Sequence, residues 1–195
     1  MRALVACEFS GIVRDAFRAK GHDAWSCDII PTEGDSAYHI QGDVLRHLDE
    51  GWDLLIAHPP CTRLCNSGVR WLNTPPKGKS KIDMNRELRN ACQFFSQMLN
   101  CPIPRRCVEN PIPHKHARQW VGTYTQLIQP WQFGHGETKA TCLWLRNLPP
   151  LGPTKIVEGR KPRVHHESPG PDRWKNRSRT YQGIANAMAE QWGGM

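Results

Sequence analysis

Short apolar runs recur along the chain, and each is broken by a small or acidic residue. Residues 3–7 form the first. The sequence Glu8-Phe9-Ser10-Gly11 breaks it, and Ile12, Val13, Ala16 and Phe17 then recur at helical spacing before Gly21. Residues 24–27 are a second run with Asp28 at its end, Gly42-Asp43-Val44 follows, and residues 52–57 are a third. Runs without polar alternation read as strands buried on both faces, whereas spacings of three and four read as one face of a helix. Residues 86–99 fit the helical pattern, with Leu88, Ala91, Cys92, Phe95 and Leu99 inward. A brief strand at 106–108 ends in Glu109-Asn110-Pro111, two further strands at 125–129 and 141–145 enclose a Phe133-Gly134-His135-Gly136 turn, and a helix over 182–192 closes the pattern. Residues 62–80 are polar and contain Pro75, Pro76 and Gly78, which predicts a long loop.

Pro59 and Pro60 cannot continue a central strand, so the chain leaves the sheet at His58. Cys61 is then presented beyond the carboxyl end of a parallel strand, where open α/β sheets hold ligands. A thiol there is a nucleophile if its surroundings favour the thiolate, and otherwise a loop cysteine without a role. The same edge receives Glu109 and Asn110. Strand, small-residue turn and helix at residues 3–17 is a geometry that offers backbone N–H groups to a ligand, and Asp28 suits a bond to ribose hydroxyls or is a solvated strand end.

Composition narrows the picture. A chain of 195 residues predicts one domain with a full core. The eight cysteines are scattered and no secretory apolar run follows Met1-Arg2, so reduced thiols and a cytoplasmic location are expected, with no membrane partner. Close pairs such as Cys61 and Cys65, Cys101 and Cys107, and His114 and His116 complete no four-ligand pattern, so no metal is expected. The net charge of +8 is concentrated at 160–179, where Arg160, Lys161, Arg163, Arg173, Lys175, Arg177 and Arg179 face only Glu167 and Asp172. With His165, His166 and Trp174 interleaved, this is either a phosphate-contacting segment or a solvated basic stretch, and Pro162, Pro169 and Pro171 predict an irregular loop rather than a helix.

In order, Phe9-Ser10-Gly11, Asp28, Gly42-Asp43-Val44, Pro59-Pro60-Cys61, Glu109-Asn110-Pro111 and Gly183-Ile184-Ala185-Asn186-Ala187-Met188 resemble the motifs of the DNA cytosine-5 methyltransferases. The resemblance runs from Leu4 to about Trp192. It implies a Rossmann-like, mostly parallel α/β sheet with helices on both faces, S-adenosylmethionine as cofactor, and a cytosine flipped out of DNA. It places Phe9, Ser10, Gly11 and Pro59 against the cofactor, Asp28 on its ribose and Asp43 near its adenine. Cys61 becomes the nucleophile and Glu109 the holder of the pyrimidine edge. Arg63, Arg70, Lys139, Arg173, Lys175 and Arg177 become the nucleic-acid contacts.

The departures from that family are specific. His58 stands where the family has glycine, Pro111 follows Asn110, and Lys139 is the only cation in the region of the family's arginine-rich strand motif. Only the 31 residues 149–179 occupy the place of a target-recognition domain. Relaxed sequence specificity, a non-duplex or mononucleotide substrate, a recognition partner and an inactive descendant all follow from that brevity. Three other readings remain open: a same-fold enzyme acting on a free pyrimidine nucleotide or RNA, an amino-methyltransferase, and a non-catalytic nucleic-acid-binding protein.

Overall fold

The apolar runs become strands of one sheet because each has helices to bury it from both sides. The computed structural model describes all 195 residues. In chain order they form β1 (Arg2–Ala6), α1 (Ile12–Arg18), β2 (Asp23–Asp28), β3 (His39–Gln41), β4 (Leu54–Ala57), α2 (Arg70–Asn73) and α3 (Lys81–Leu99). These are followed by β5 (Arg105–Pro111), α4 (Lys115–Val121), β6 (Gln126–Ile128), β7 (Thr141–Arg146), α5 (Arg173–Ser178) and α6 (Gln182–Trp192).

The seven strands lie in the order β3-β2-β1-β4-β5-β7-β6. All neighbours from β3 to β5 pair in parallel, and β7 runs antiparallel to both β5 and β6. The chain winds outward from β1 and β4 in both directions, so the strand order reverses between them, the position at which such sheets form a crevice. This is the Rossmann-like, mostly parallel α/β arrangement expected from the sequence.

Alternation along each strand divides the core in two. Leu4, Ala6, Leu55, Ala57, Val108 and Trp144 face α3 and α4, while Ala3, Val5, Leu54, Ile56, Cys107, Leu143 and Leu145 face α1 and α6. On the first face Phe95 meets Trp144 edge-on at 4.9 Å, a geometry that adds about 0.5–1.5 kcal/mol to the burial itself.

Several elements differ from the sequence pattern. Helix α3 starts at Lys81, ahead of the apolar face at 86, because Ser80 and Asp83 form a reciprocal capping box. The loop at 62–80 contains the single turn α2, and the proline-broken segment at 160–179 contains α5. The prolines stop at 171, which leaves Arg173–Ser178 free to coil. The three-residue edge strand β3 and the short helix α4 have no periodic signature of their own. No helix is long and apolar enough to cross a membrane.

Candidate active site at the carboxyl edge of the sheet

Parallel strands bring their carboxyl ends to one edge, and every candidate group of the first half of the chain leaves the sheet there. The register pairs Ala6 with Ala57 and Ala57 with Val108. One step further it sets Cys7, His58 and Glu109 side by side. The His58 amide still donates to the Ala6 carbonyl at 2.9 Å, so the strand ladder holds this row in place.

After His58 the chain turns. The Cys61 carbonyl accepts from the amides of Leu64 (2.9 Å) and Cys65 (3.0 Å). The turn is sewn to the residues that follow Glu109: the His114 amide donates to the Leu64 carbonyl at 3.0 Å, and His114 Nε2 donates to the Arg63 carbonyl at 2.8 Å. Gly68 closes the turn where only glycine fits, since a Cβ there would lie 2.0 Å from the Thr62 carbonyl oxygen. Cys61 and Glu109 are therefore fixed relative to one another by backbone as well as by the sheet.

Together with Phe9, Ser10, His58 and Lys139, these two residues line a cavity of about 110 Å³. That is small beside the roughly 300–1,000 Å³ of ordinary ligand sites. The cause is a roof built from the end of α5. Arg177, Ser178, Arg179 and Thr180 line the same cavity. Trp174 packs on Phe9 at 5.5 Å between ring centroids, and Arg179 is held by Glu33 at 2.7 Å.

The charges inside are closely balanced. His58 Nδ1 lies 3.6 Å from Glu109 Oε1. Burial works to raise Glu109, but the nearby His58 and the charge of Lys139 outweigh it and hold the carboxyl below its ordinary value. Lys139 is lowered, first by burial and against the attraction of Glu109 and Cys61, and its ammonium donates to the Arg179 carbonyl at 3.1 Å. The Cys61 thiol is raised, first by the hydrogen bond it gives to Cys65, then by burial and the nearby Glu109. Cys65 is lowered, first by its neighbour Cys61 and then by the hydroxyl of Ser67 and the amides of Ser67 and Gly68, against its burial.

The expected cofactor residues lie along the same edge. Phe9 is buried, and its carbonyl accepts from Thr32 Oγ1 and the Glu33 amide, both at 2.8 Å. Gly11 has φ +73, a conformation that favours glycine. The α1 N-terminus corrects the sequence reading, because its amides are not open to a ligand. The buried Glu8 carboxylate takes them, from Val13 at 2.7 Å and Arg14 at 3.2 Å. Burial raises Glu8, and the His58 charge and those two amides oppose it.

Asp28 ends β2 and accepts from the Ile30 amide at 3.2 Å, and burial raises its carboxyl. Asp43 accepts from the Leu45 amide at 3.1 Å. Both lie outside the Cys61 cavity, and the charges of both reach Cys7, which lines it. Ile29, which follows Asp28 in the chain, is 75% exposed and leaves an apolar side chain uncovered. Two carboxylates beside an exposed apolar side chain suit a ligand with vicinal hydroxyls and a flat ring.

The expected nucleic-acid contacts divide. Lys139 and Arg177 reach the Cys61 cavity. Arg63 pairs with Glu87 of α3 at 2.8 Å, and Arg70 stacks over Trp71 at 4.3 Å. Arg173 donates to the Glu167 carbonyl at 2.8 Å, and Lys175 lies 4.0 Å from Asp172. His58 and Glu8 are the site residues that the sequence pattern did not single out for a role. The only trace of either is the histidine standing before the two prolines.

No family model matches the chain, and no curated protein matches it in sequence. Among solved structures, it is similar to a putative DNA modification methyltransferase encoded within an E. coli prophage, with TM-score 0.47 and 13% identity, covering 81% of this chain and 52% of that one. It is also similar to the Entamoeba histolytica methyltransferase EhMeth, with TM-score 0.49 and 11% identity, covering 80% of this chain and 57% of the other. The chain spans a little over half the length of these structures.

Proposed function

We propose that this protein is an S-adenosylmethionine-dependent methyltransferase acting on carbon 5 of cytosine in DNA. The observation that carries the reading is that Cys61 and Glu109 line one cavity with Phe9 and Ser10. Carbon 5 of cytosine is a poor nucleophile while the ring is aromatic. A sulfur adding at carbon 6, with a carboxyl group serving ring nitrogen 3, makes carbon 5 enamine-like. A thiol and a carboxyl facing one small space are the pair this chemistry needs.

In this reading Cys61 Sγ forms the bond to carbon 6 after passing its proton to the adjacent Cys65 sulfur. Glu109 holds ring nitrogen 3, and Lys139 keeps a positive charge beside both. The cofactor, when bound, supplies the methyl group as a sulfonium. Asp28 and Asp43 would hold its hydroxyls and adenine edge, with Phe9, Ser10, Gly11 and Pro59 around its reactive end. Loss of the carbon 5 proton then expels Cys61. The whole chain acts as one methyltransferase unit in which 149–179 stands in place of a recognition domain. Arg63, Arg70, Arg173, Lys175 and Arg177 contact phosphate, which positions a strand without specifying its sequence.

The test is incubation with labelled S-adenosylmethionine and duplex DNA, single-stranded DNA, RNA or a free cytidine nucleotide, followed by nucleoside analysis. The expected product is 5-methylcytosine in DNA, and DNA containing 5-fluorocytosine should form an adduct that survives denaturation. Label on the exocyclic nitrogen, or no adduct with any substrate, would sink cysteine chemistry at this site. S-adenosylhomocysteine should raise the melting temperature by linkage, and less so in Asp43→Ala.

A further inference from the structure

His58 sits where three strand ends meet. Its backbone extends the β1–β4 ladder, its Nδ1 is 3.6 Å from Glu109 Oε1, and its Nε2 is buried without a protein partner. Glu109 has a proton problem. The unprotonated ring nitrogen 3 of cytosine is an acceptor, and an ionised carboxylate is acceptor-only. Two acceptors would face each other as the base enters, and an added proton must come from within the closed site.

The other groups around Glu109 are committed elsewhere. The Cys61 thiol is raised by its neighbour Cys65 and by burial, and Cys7 and Tyr181 are raised by burial, with the tyrosine hydroxyl already donating to Glu137 at 2.6 Å. Glu8 spends its oxygens on the amides of Val13 and Arg14. Arg177 and Arg179 keep their protons at any relevant pH. Lys139 gives one N–H to the Arg179 carbonyl, and the ion pair of Glu109 is with His58 rather than with this ammonium. His58 alone combines a titratable N–H with ion-pair distance to Glu109.

We propose that His58 is a positioning residue that hands the proton on its Nδ1 to Glu109 as the pyrimidine enters, so that Glu109 meets ring nitrogen 3 as a donor. This rests on reading the site as a cytosine carbon-5 methyltransferase. The Nδ1–H bond breaks and an Oε1–H bond forms. As Cys61 adds at carbon 6, the ring's electrons move onto nitrogen 3, which takes that proton. When Cys61 leaves, nitrogen 3 returns it through Glu109 and His58 is reloaded. The relay consumes no net proton, and the carbon 5 proton departs separately.

The experiment follows labelled methyl transfer to cytosine-containing DNA by wild type, His58→Gly and His58→Asn between about pH 5 and pH 9, the range that spans histidine titration. Wild-type kcat should fall as pH rises and the imidazolium is lost. Both variants should lose about 10²-fold in kcat, with KM changed less and with that limb absent. Free imidazole should restore His58→Gly in proportion to its imidazolium form, and therefore better at low pH. His58→Asn keeps a short N–H donor without an acid, and its melting curve checks the fold should the glycine variant prove unstable. If wild type methylates and either folded variant keeps the wild-type pH profile, or imidazole restores His58→Gly equally at every pH, the relay is wrong and the reading of the site stands. If wild type neither methylates nor forms the 5-fluorocytosine adduct, that reading falls and takes the relay with it.

Discussion

The sheet edge carrying His58, Cys61 and Glu109 and the roof at 149–179 are held by different forces. At the edge, three strands in register and the stitched turn after Cys61 place each group by backbone hydrogen bonds. The first part of the roof, 154–161, is also tied by backbone hydrogen bonds to 131–138, as in the Gly134 amide on the Lys155 carbonyl at 2.8 Å, whereas 162–179 touches the rest of the protein mainly through side chains. Arg163 on Glu137, Arg179 on Glu33 and Trp174 on Phe9 are its ties. The largely exposed Arg179–Glu33 pair contributes about 0–1 kcal/mol and weakens with salt, whereas Arg163 reaches a buried carboxylate. The proposed reacting groups thus sit on the part held by strand register, and the roof that covers them has weaker ties over 162–179. Under the proposed function, a cavity of about 110 Å³ beneath this roof is too small for a base, so the roof would lift to admit one.

That contrast ranks the expected effects. At the rigid edge, Cys61→Ser should abolish turnover while leaving cofactor binding intact, because a neutral hydroxyl is a far weaker nucleophile. Retention of full activity in a methylation assay would exclude cysteine chemistry. Glu109→Gln should cost about 10²–10⁴-fold in kcat, the usual range for a positioned acid or base. Single-turnover kinetics should show this as slow chemistry with the base still able to enter.

In the roof, Arg173→Ala with Lys175→Ala should weaken DNA binding about equally for all sequences. It should flatten the dependence of log affinity on log salt by roughly 0.9 for each phosphate no longer neutralised. Arg177, which lines the Cys61 cavity, should differ from them by slowing turnover as well. A loss of affinity confined to one DNA sequence would break the division between a positioning roof and a reacting edge.

The smallest effect concerns Glu8. Its folded-state value is raised, so its contribution to stability is fully present below the unfolded value and is lost as pH rises through the folded one. Glu8→Gln should therefore gain stability relative to wild type as pH rises from about 5 to about 8, by about 1.4 kcal/mol for each unit of raising, read as a growing difference in melting temperature. A difference that stays flat with pH would mean that the amides of Val13 and Arg14 had already offset the burial.

Much of this was legible in the sequence. A strand buried on both faces must be apolar throughout, so residues 3–7, 24–27 and 52–57 announced β1, β2 and β4, and the double proline announced where Cys61 leaves the sheet. The spacing of Leu88, Cys92, Phe95 and Leu99 announced α3, and Ile184, Ala185, Met188 and Ala189 announced α6. Strand β3 and helix α4 were too short to carry a period, and α5 follows prolines that argued against any helix.

What lies beside what was decided by tertiary structure. Lateral register is a property of paired strands, so the sequence delivered Cys7, His58 and Glu109 to one edge without saying that His58 would stand next to Glu109. The same holds for Glu8, whose carboxylate turns back to cap α1, and for Lys139, which sequence placed among phosphate contacts and folding buries beside Glu109. Local periodicity records which face of an element is apolar. The partners of a buried charge come from chain segments far apart in sequence, and only closing those loops brings them together.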